Sequence, residues 1–100
     1  MDLSIVIPVY NGQDCVRRSL DSILALQMPA RRLEVIVVDD CSTDQTRAVL
    51  EDYAGRYEQI DFISLPVNKK PGGARNAGIE RAKGEYILLR DRRPEDMAER

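Results

Sequence analysis

The chain has 100 residues, a net charge of −2 and no histidine. This length corresponds to one small domain. Because the charges are nearly balanced and form no basic stripe, nothing favours a nucleic-acid partner. The lack of histidine excludes histidine-based catalysis and most zinc chemistry from this chain.

The cysteines and the apolar runs indicate a cellular compartment. Cys15 is predicted in the first turn of a helix and Cys41 at a strand end, and their spacing matches no metal motif. Two thiols in a reducing cytosol are therefore expected. No basic region precedes an apolar stretch at the start, and no apolar run approaches the roughly 20 residues of a membrane span. The sequence predicts a soluble, cytoplasmic chain with no membrane span.

The first part of the chain alternates strands and a helix. Apolar runs rich in Val and Ile predict strands over Leu3–Val9 and residues 33–38, each of the kind that is covered on both faces. Between them, apolar residues recur at helical spacing over residues 13–26. Pro29 is predicted to end this helix.

A second helix is predicted after the second strand. Ser42 followed three residues later by Gln45 is typical of a capping box, in which the two side chains satisfy the first backbone N–H groups of a helix. Apolar and aromatic side chains at helical spacing are expected to face the core. They are Val49, Leu50, Tyr53 and Tyr57.

The last part of the chain continues the alternation. A strand is predicted over residues 60–65 and a loop over residues 66–73. A helix over residues 74–83 is predicted to stop at Gly84, a residue common just after a helix C-terminus. A fourth strand is predicted over residues 85–89.

This order of elements predicts an α/β fold with a three-layer, Rossmann-like open sheet that is mainly parallel. The simplest right-handed winding places the strands in the order 3-2-1-4. Tyr10, Asp40 and Asp91 would then all lie at carboxyl ends of strands around one crevice. Open α/β sheets bind their ligands at such a crevice.

Two acids, Asp39 and Asp40, follow the second strand directly. In dinucleotide-binding folds a carboxylate at this point accepts hydrogen bonds from ribose hydroxyls, and a base N–H is a second suitable donor. The alternative is that both acids start a turn and favour the positive end of the next helix. Because Ser42 is already predicted to cap that helix, ligand binding is the preferred interpretation for Asp40. Asp39 is kept as a candidate ligand residue, but the turn is the preferred interpretation for it.

An aromatic residue, Tyr10, follows the first strand. Its ring is suited to stack on a planar base or to close the wall of a pocket. A half-buried tyrosine with its hydroxyl in water fits the same position equally well. Chemistry alone leaves both interpretations of Tyr10 open.

Residues 69–76 combine two lysines, two glycines and Arg75 at the start of a helix. Backbone N–H groups at a helix N-terminus together with cations favour an anionic group such as a diphosphate. The spacing is not that of a Walker loop. An exposed loop with solvated lysines is the alternative. Arg75 is the more specific candidate, because a cation in the first helical turn is unfavourable unless it meets an anion.

Asp91 follows the fourth predicted strand. A carboxylate there is suited to hold a divalent cation that bridges phosphates, but hard cations usually need more than one such ligand. Arg92 and Arg93 would repel a metal and would pair with acids such as Glu95 or Asp96.

Four segments together resemble the inverting nucleotide-sugar glycosyltransferases of family 2, which have the GT-A fold. They are SIVIPVYN (residues 4–11), EVIVVDDCSTD (34–44), GARNAG (73–78) and GEYILL (84–89). One segment alone would be a weak match. The four occur in the family's order and extend from residue 3 to about residue 91, which makes the match specific.

The resemblance implies a role for each matching residue. Pro8 and Tyr10 correspond to the strand end that contacts the nucleobase, and Asp40 corresponds to the acid that hydrogen-bonds the base, usually uracil. Arg75 corresponds to a basic residue near the diphosphate. Asp91 corresponds to the first acid of an Asp-x-Asp element, which binds ribose and a Mg²⁺ or Mn²⁺ ion.

The sequence departs from the family pattern at Arg93, which stands where the second acid of that element belongs. Poor metal coordination by Asp91 is therefore expected. In the family, the acceptor-binding half and the general-base carboxylate lie further along the chain, so no catalytic residue is expected here. Residues 1–91 are expected to form the nucleotide-sugar-binding half of a GT-A domain. Residues 92–100 are expected to be a charged tail, either an altered terminus or a solvated helix.

These expectations lead to three hypotheses of function. The first is the donor-binding portion of a glycosyltransferase that takes its sugar from a nucleoside-diphosphate donor, most commonly UDP-linked. The second is a module that binds a nucleotide without turnover. The third is a structural unit whose fourth strand, at a sheet edge, pairs with another chain such as a second copy.

Overall fold

The computed structural model describes residues 2–29, 31–66 and 70–89. Strands and helices alternate along this part of the chain. In order, they are β1 (Leu3–Val9), α1 (Gln13–Leu24), β2 (Leu33–Asp39), α2 (Thr46–Arg56), β3 (Ile60–Ser64), α3 (Lys70–Arg81) and β4 (Tyr86–Leu89). The predicted α/β class is confirmed, and each strand boundary lies within one residue of its predicted position.

The four strands form one parallel sheet in the order β3-β2-β1-β4, as predicted. In the β1–β2 register Leu3 lies opposite Leu33 and Val9 opposite Asp39. The β1–β4 register begins with Leu3 opposite Tyr86 and ends with Val6 opposite Leu89. The two central strands therefore end together at one edge of the sheet, which we call the carboxyl edge.

Helices cover both faces of the sheet, so the predicted three-layer arrangement is confirmed. Odd-numbered residues of β1 and β2 pack with α1 and α2, where Leu20 and Leu50 are fully buried. Even-numbered residues such as Val6 and Val38 pack against α3 through Ala74. Because side chains alternate along a strand, this division assigns a face to every residue of the two central strands.

The helix α1 ends at Leu24, two residues earlier than predicted. The N–H of Gln27 donates to the carbonyl of Leu24 at 3.1 Å, and Gln27 has a left-handed backbone with φ 56°. A left-handed residue just after a helix is a common way to satisfy its last carbonyls. Local backbone geometry therefore ends α1 ahead of Pro29.

The predicted capping box at Ser42 is wrong. The helix α2 begins at Thr46, and its N-cap residue Gln45 makes no side-chain capping bond. Instead, Asp44 Oδ1 accepts a hydrogen bond from the Thr46 N–H at 2.9 Å, and the Thr46 hydroxyl donates to the same oxygen. The predicted inward-facing residues of α2 are confirmed. Val49, Leu50 and Tyr53 are buried, and Tyr57 packs half-buried beside them.

The helix α3 begins at Lys70, four residues before the predicted start, and ends at Arg81, two residues before the predicted end. Pro71 misled the sequence interpretation, although proline is tolerated in a first helical turn, where its missing N–H has no helical partner. Gly78 explains why α3 lies close to the sheet, because a Cβ there would collide first with Val6 Cγ1 and then with Val38 Cγ2 at 3.1 Å.

Gly84 has a different role from the predicted helix stop, because its φ is not positive. Its N–H donates to Ser4 Oγ at 2.7 Å, and the Ser4 hydroxyl donates to Glu34 Oε2 at 2.6 Å. The same Glu34 oxygen accepts the Lys83 N–H at 2.6 Å. This network joins the α3–β4 connection to the amino-terminal ends of β1 and β2, which we call the amino edge of the sheet.

The charged tail predicted over residues 92–100 lies outside the described residues. No helix in the described ranges combines the length and the apolar character that a bilayer crossing requires.

Candidate functional site

The carboxyl edge brings together two of the predicted ligand residues. The N–H of Asp40 donates to the carbonyl of Val9 at 2.9 Å, which extends the β1–β2 ladder by one bond. Tyr10 follows Val9 directly, so Tyr10 and Asp40 leave the sheet side by side. Tyr10 is 38% exposed, whereas Asp40 is only 2% exposed. The edge therefore pairs an accessible aromatic ring with a buried carboxylate.

The adjacent acids Asp39 and Asp40 have different environments although both are buried. Asp39 belongs to the odd-numbered series that faces α1 and α2, and its Oδ1 accepts the Ser42 N–H at 3.0 Å. Its carboxylate therefore holds the start of the β2–α2 loop. Alternation extended by one residue puts Asp40 on the other face, the side of Val38 and α3. The two acids thus belong to different layers of the molecule.

The start of α3 lies on that same face. Ala74 is buried in a cluster with Val6, Ile36 and Val38, so the first turns of α3 pack over the carboxyl halves of β1 and β2. By alternation the buried Pro8 lies on this side as well. Arg75 follows Ala74 in the helix, so its backbone is at the same end, and its side chain is not among the described ones. Asp91 lies outside the described residues.

The sequence interpretation missed the role of Asn11, which entered it only as the last residue of the segment SIVIPVYN. Its side-chain Oδ1 accepts the Thr43 N–H at 2.7 Å, the Thr43 hydroxyl at 3.3 Å and the Asp44 N–H at 3.3 Å. Its own N–H donates to Ser42 Oγ at 2.9 Å. We call these four hydrogen bonds the Asn11 bridge. The sequence signals only that an Asn-Gly pair makes a turn, since the partners are 31 to 33 residues away.

The backbone at this edge is unusual at two positions. Asn11 and Cys41 have left-handed conformations, with φ of 49° and 61°. Asn tolerates this region, whereas Cys does so at a cost of roughly 1–2 kcal/mol. The Cys41 thiol lies 3.6 Å from the carbonyl of Pro66 and donates to it. The reversal after Asp40 is thereby tied to the segment that follows β3.

The N-terminus of α2 is occupied by protein groups. The Gln45 N–H donates to Gln13 Oε1 at 2.9 Å, and the Thr46 N–H is bound by Asp44. An anion near the carboxyl edge would therefore not find these first N–H groups of α2 available. The start of α3 is the better-placed helix terminus for an anionic ligand.

The described residues supply no ready ligand set for a metal. No three His, Cys, Asp or Glu side chains converge within the ranges the structure describes. Asp91, the acid that the resemblance assigns to a Mg²⁺ or Mn²⁺ ion, lies outside those ranges, and Arg93 replaces the second acid.

Comparison with known protein families assigns the chain to one of them. The model of the family described as "Glycosyl transferase family 2" matches residues 4–92. The chain belongs to this family. The match begins within β1 and includes β2, the Asn11 bridge and β4, so the carboxyl edge lies within the family's own domain.

Individual family 2 relatives support the same assignment. The chain is 47% identical over 92 residues to a poly(ribitol-phosphate) beta-glucosyltransferase of Bacillus spizizenii, covering 91% of this chain and 14% of the relative. A crystal structure of Staphylococcus aureus TarS residues 1–349 in complex with UDP-GlcNAc matches with a TM-score of 0.83 and 36% identity, over 91% of this chain and 26% of that one. The chain thus spans well under a third of the length of these relatives.

A more distant family 2 neighbour carries a different donor. The mannosyltransferase PcManGT of Pyrobaculum calidifontis, solved with GDP-Man and Mn²⁺, matches with a TM-score of 0.81 and 26% identity. The match covers 89% of this chain and 26% of that structure. The GT-A fold predicted from the sequence is therefore confirmed.

Proposed function

We propose that this chain binds the nucleoside diphosphate of a sugar donor at the carboxyl edge, as part of a glycosyltransferase that uses a UDP-linked sugar. The observation that carries the proposal is the bond from the Asp40 N–H to the Val9 carbonyl, which sets Asp40 beside Tyr10 next to the start of α3. Family membership supports the reaction class. The S. aureus TarS structures with UDP and with UDP-GlcNAc support the choice of donor.

In this proposal Pro8 and Tyr10 contact the nucleobase and Asp40 accepts a hydrogen bond from it. A carboxylate is an acceptor only, so Asp40 selects a base that presents an N–H at that point. Uracil and guanine both have such a ring N–H, and the corresponding ring nitrogen of cytosine is an acceptor. Asp39, which already binds the Ser42 N–H, supports the loop beside the nucleotide.

The diphosphate in this proposal lies at the start of α3. Backbone N–H groups at a helix N-terminus and the positive end of the helix dipole favour a phosphate there, and Arg75 adds a guanidinium suited to bind two phosphate oxygens. Asp91 is proposed to contact the ribose. Because the positively charged Arg92 and Arg93 follow it directly in the sequence, we propose that nucleotide binding to this chain does not depend on Mg²⁺ or Mn²⁺.

The reaction proposed for the whole enzyme is an in-line displacement at the anomeric carbon of the sugar. A base removes the proton of the acceptor hydroxyl, and the nucleoside diphosphate departs. We assign that base to none of the residues of this chain. The 100-residue chain is therefore expected to bind the donor without transferring the sugar.

Calorimetry with three nucleotides and two matched variants tests the proposal. The unmodified chain is expected to bind UDP and GDP more tightly than CDP, with the same affinity for UDP in the presence and absence of Mn²⁺. Asp40→Asn is expected to weaken UDP binding about tenfold, because the charged acceptor is replaced by a neutral amide oxygen, which accepts a weaker hydrogen bond. Asp39→Asn keeps an oxygen for the Ser42 N–H and is expected to bind UDP nearly as the unmodified chain does.

The two variants are matched, since the acids are adjacent and are 3% and 2% exposed. Circular dichroism of both would establish that each is folded. No binding of any nucleotide by the folded chain would overturn the proposal. Equal losses in Asp39→Asn and Asp40→Asn would overturn the assignment of Asp40, and a marked gain with Mn²⁺ would overturn metal-independent binding.

A second candidate function, pairing through the sheet edge, is favoured by the exposure of β4. Tyr86 is 70% exposed, and Ile87 and Leu88 are about half exposed, so apolar side chains on both faces of this strand are accessible. Such an edge is suited to pair with a second copy of the chain. Sedimentation would detect a stable dimer that a Leu88→Lys variant abolishes, and a monomer at high concentration would refute this function.

We also propose a reducing, cytoplasmic location. Both cysteines lie within the described residues and neither belongs to a disulfide, which is typical of cytosolic proteins. Titration of two thiols in protein purified without reductant would support this location, and a disulfide in that preparation would contradict it.

A further inference from the structure

The Asn11 bridge places one side chain between the two loops of the carboxyl edge. The amide oxygen of Asn11 reaches across to Thr43 and Asp44 in the β2–α2 loop, while its N–H reaches Ser42 in the same loop. Asn11 itself belongs to the β1–α1 loop. A single residue of one loop therefore fixes three consecutive residues of the other.

This bridge brackets Tyr10. On one side, the carbonyl of Val9 accepts the Asp40 N–H at 2.9 Å. On the other side, the N–H of Asn11 donates to Ser42 at 2.9 Å. The backbone of Tyr10 is thus held at both ends against the segment that begins with Asp40, so the spacing between ring and carboxylate is set by these bonds.

The bridge depends on a backbone conformation that few residues adopt. Asn11 has φ 49°, and this left-handed geometry turns its side chain back toward the neighbouring loop. Glycine adopts the same φ without strain but offers no acceptor. Aspartate tolerates it nearly as well as asparagine and keeps a side-chain oxygen. Both replacements keep the backbone conformation, and only aspartate keeps the hydrogen-bond acceptor. Comparing them therefore isolates the effect of the hydrogen bonds.

We propose that Asn11 is a positioning residue for nucleotide binding, which sets the distance between Tyr10 and Asp40 without touching the nucleotide. This inference rests on the proposed function of the carboxyl edge. It predicts that loss of the amide oxygen weakens binding through the geometry of the two neighbouring residues, and that a carboxylate oxygen at the same place restores it.

The test compares Asn11→Gly, Asn11→Asp and a control in calorimetric titrations of the full chain with UDP. Asn11→Gly is expected to bind UDP about tenfold more weakly, since the Thr43 and Asp44 N–H groups lose their acceptor. Asn11→Asp is expected to restore the affinity to within about threefold, because a carboxylate accepts the same bonds. Gln27→Gly changes a residue with a similar φ of 56° at the far end of α1 and is expected to bind as the unmodified chain does.

The outcomes separate this inference from the function on which it rests. If the unmodified chain binds no nucleotide, both are overturned. If it binds UDP and Asn11→Gly binds equally well, only the positioning role is overturned, as it also is if Asn11→Asp is as weak as Asn11→Gly. Should Asn11→Gly fail to fold, Ser42→Ala, which removes the acceptor of the Asn11 N–H, is expected to weaken UDP binding about threefold. An unchanged affinity in folded Ser42→Ala would overturn the inference.

Discussion

The two edges of the sheet both carry polar networks, and the networks differ in what they join. At the amino edge, Ser4 is fully buried and relays a hydrogen bond from Gly84 to Glu34, which also binds the Lys83 N–H. At the carboxyl edge, the Asn11 bridge joins two loops beside an exposed tyrosine. One network attaches an element to the sheet, and the other arranges side chains at a surface.

The backbone conformations sharpen this contrast. Asn11 and Cys41, two of the three non-glycine residues with positive φ in the described ranges, lie at the carboxyl edge. The third, Gln27, follows α1, where this conformation is ordinary. Left-handed residues in loops cost free energy and tend to persist where they shape a ligand site. We therefore expect changes at the amino edge to alter stability and changes at the carboxyl edge to alter binding.

The largest expected effect is the loss of stability in Gly84→Ala at the amino edge. A Cβ at this position would lie 2.6 Å from both the backbone nitrogen and the Oγ of Ser4, and 2.7 Å from the carbonyl carbon of Leu3. Backbone atoms of a central strand have little room to move, so the free energy of unfolding should fall by about 3 kcal/mol or more. Urea denaturation measures this change.

Gly55→Ala is the matched control, because a Cβ there meets nothing within 4 Å. Gly55 lies inside α2, where alanine is preferred over glycine by about 1 kcal/mol, so this variant should be more stable than the unmodified chain. The folded fraction of Gly84→Ala should bind UDP with unchanged affinity. A loss of UDP affinity in that folded fraction would contradict the expectation that changes at the amino edge alter stability and not binding.

The second effect, at the carboxyl edge, is a loss of nucleotide binding in Tyr10→Ala. Stacking of a base on an aromatic ring is worth about 1–3 kcal/mol, so UDP affinity should fall at least about fivefold. Because Tyr10 is 38% exposed, the free energy of unfolding should change by less than about 0.5 kcal/mol. Tyr10→Phe keeps the ring and should retain the affinity. If Tyr10→Ala is destabilised and still binds UDP normally, the expectation that changes at the carboxyl edge alter binding rather than stability is wrong.

The smallest effect, in Tyr53→Phe, tests the helical layer, which belongs to neither edge. The Tyr53 hydroxyl donates to Asp21 Oδ1 at 2.6 Å, so this variant should lose about 1 kcal/mol of stability and no UDP affinity. Tyr57→Phe is a nearby control, with its ring centroid 6.2 Å from that of Tyr53. A change in UDP affinity in Tyr53→Phe would contradict this prediction, because it would show that the helical layer influences binding at the carboxyl edge.

The same hydrogen bond predicts a dependence of stability on pH. The bond to Asp21 and, to a lesser extent, burial raise the pKa of Tyr53 above its ordinary value of 10.0. A raised pKa in the folded state means that the stabilisation is fully present below pH 10.0 and is lost as the pH rises through the raised value. The gap in stability between the unmodified chain and Tyr53→Phe should therefore shrink in strongly alkaline solution, as denaturation at a series of pH values would measure.

Local patterns predicted the sheet well and the loops poorly. The buried runs of β1 and β2 have few polar interruptions, and right-handed connections leave little choice of strand order, so both were predictable. The start of α3 was missed because Pro71 is typical of a loop and is also tolerated in a first turn. The role of Ser42 was missed because its hydroxyl binds Asn11, a partner distant in sequence.

The candidate site was predictable only as residue types at strand ends. That Tyr10 and Asp40 come together followed from the parallel sheet. The sequence did not show that Asp39 and Asp40 face different layers. To predict this, one has to know which helix packs against the odd-numbered and which against the even-numbered residues of β2. At this edge, hydrogen bonds between residues far apart in sequence determine the role of each side chain, and local propensity does not predict them.

Pro8 limits the hydrogen bonds that β1 can donate on the side of β4. Because the Val9 carbonyl points to β2, the neighbouring Pro8 points to β4, and proline has no N–H to donate to that strand. The described ladder between β1 and β4 ends at Val6 and Leu89, two residues before Pro8. One missing hydrogen atom thus removes the next bond β1 could donate along this seam. A single residue of β1 thus limits how far this strand can pair, and a Pro8→Ala variant would supply the missing donor.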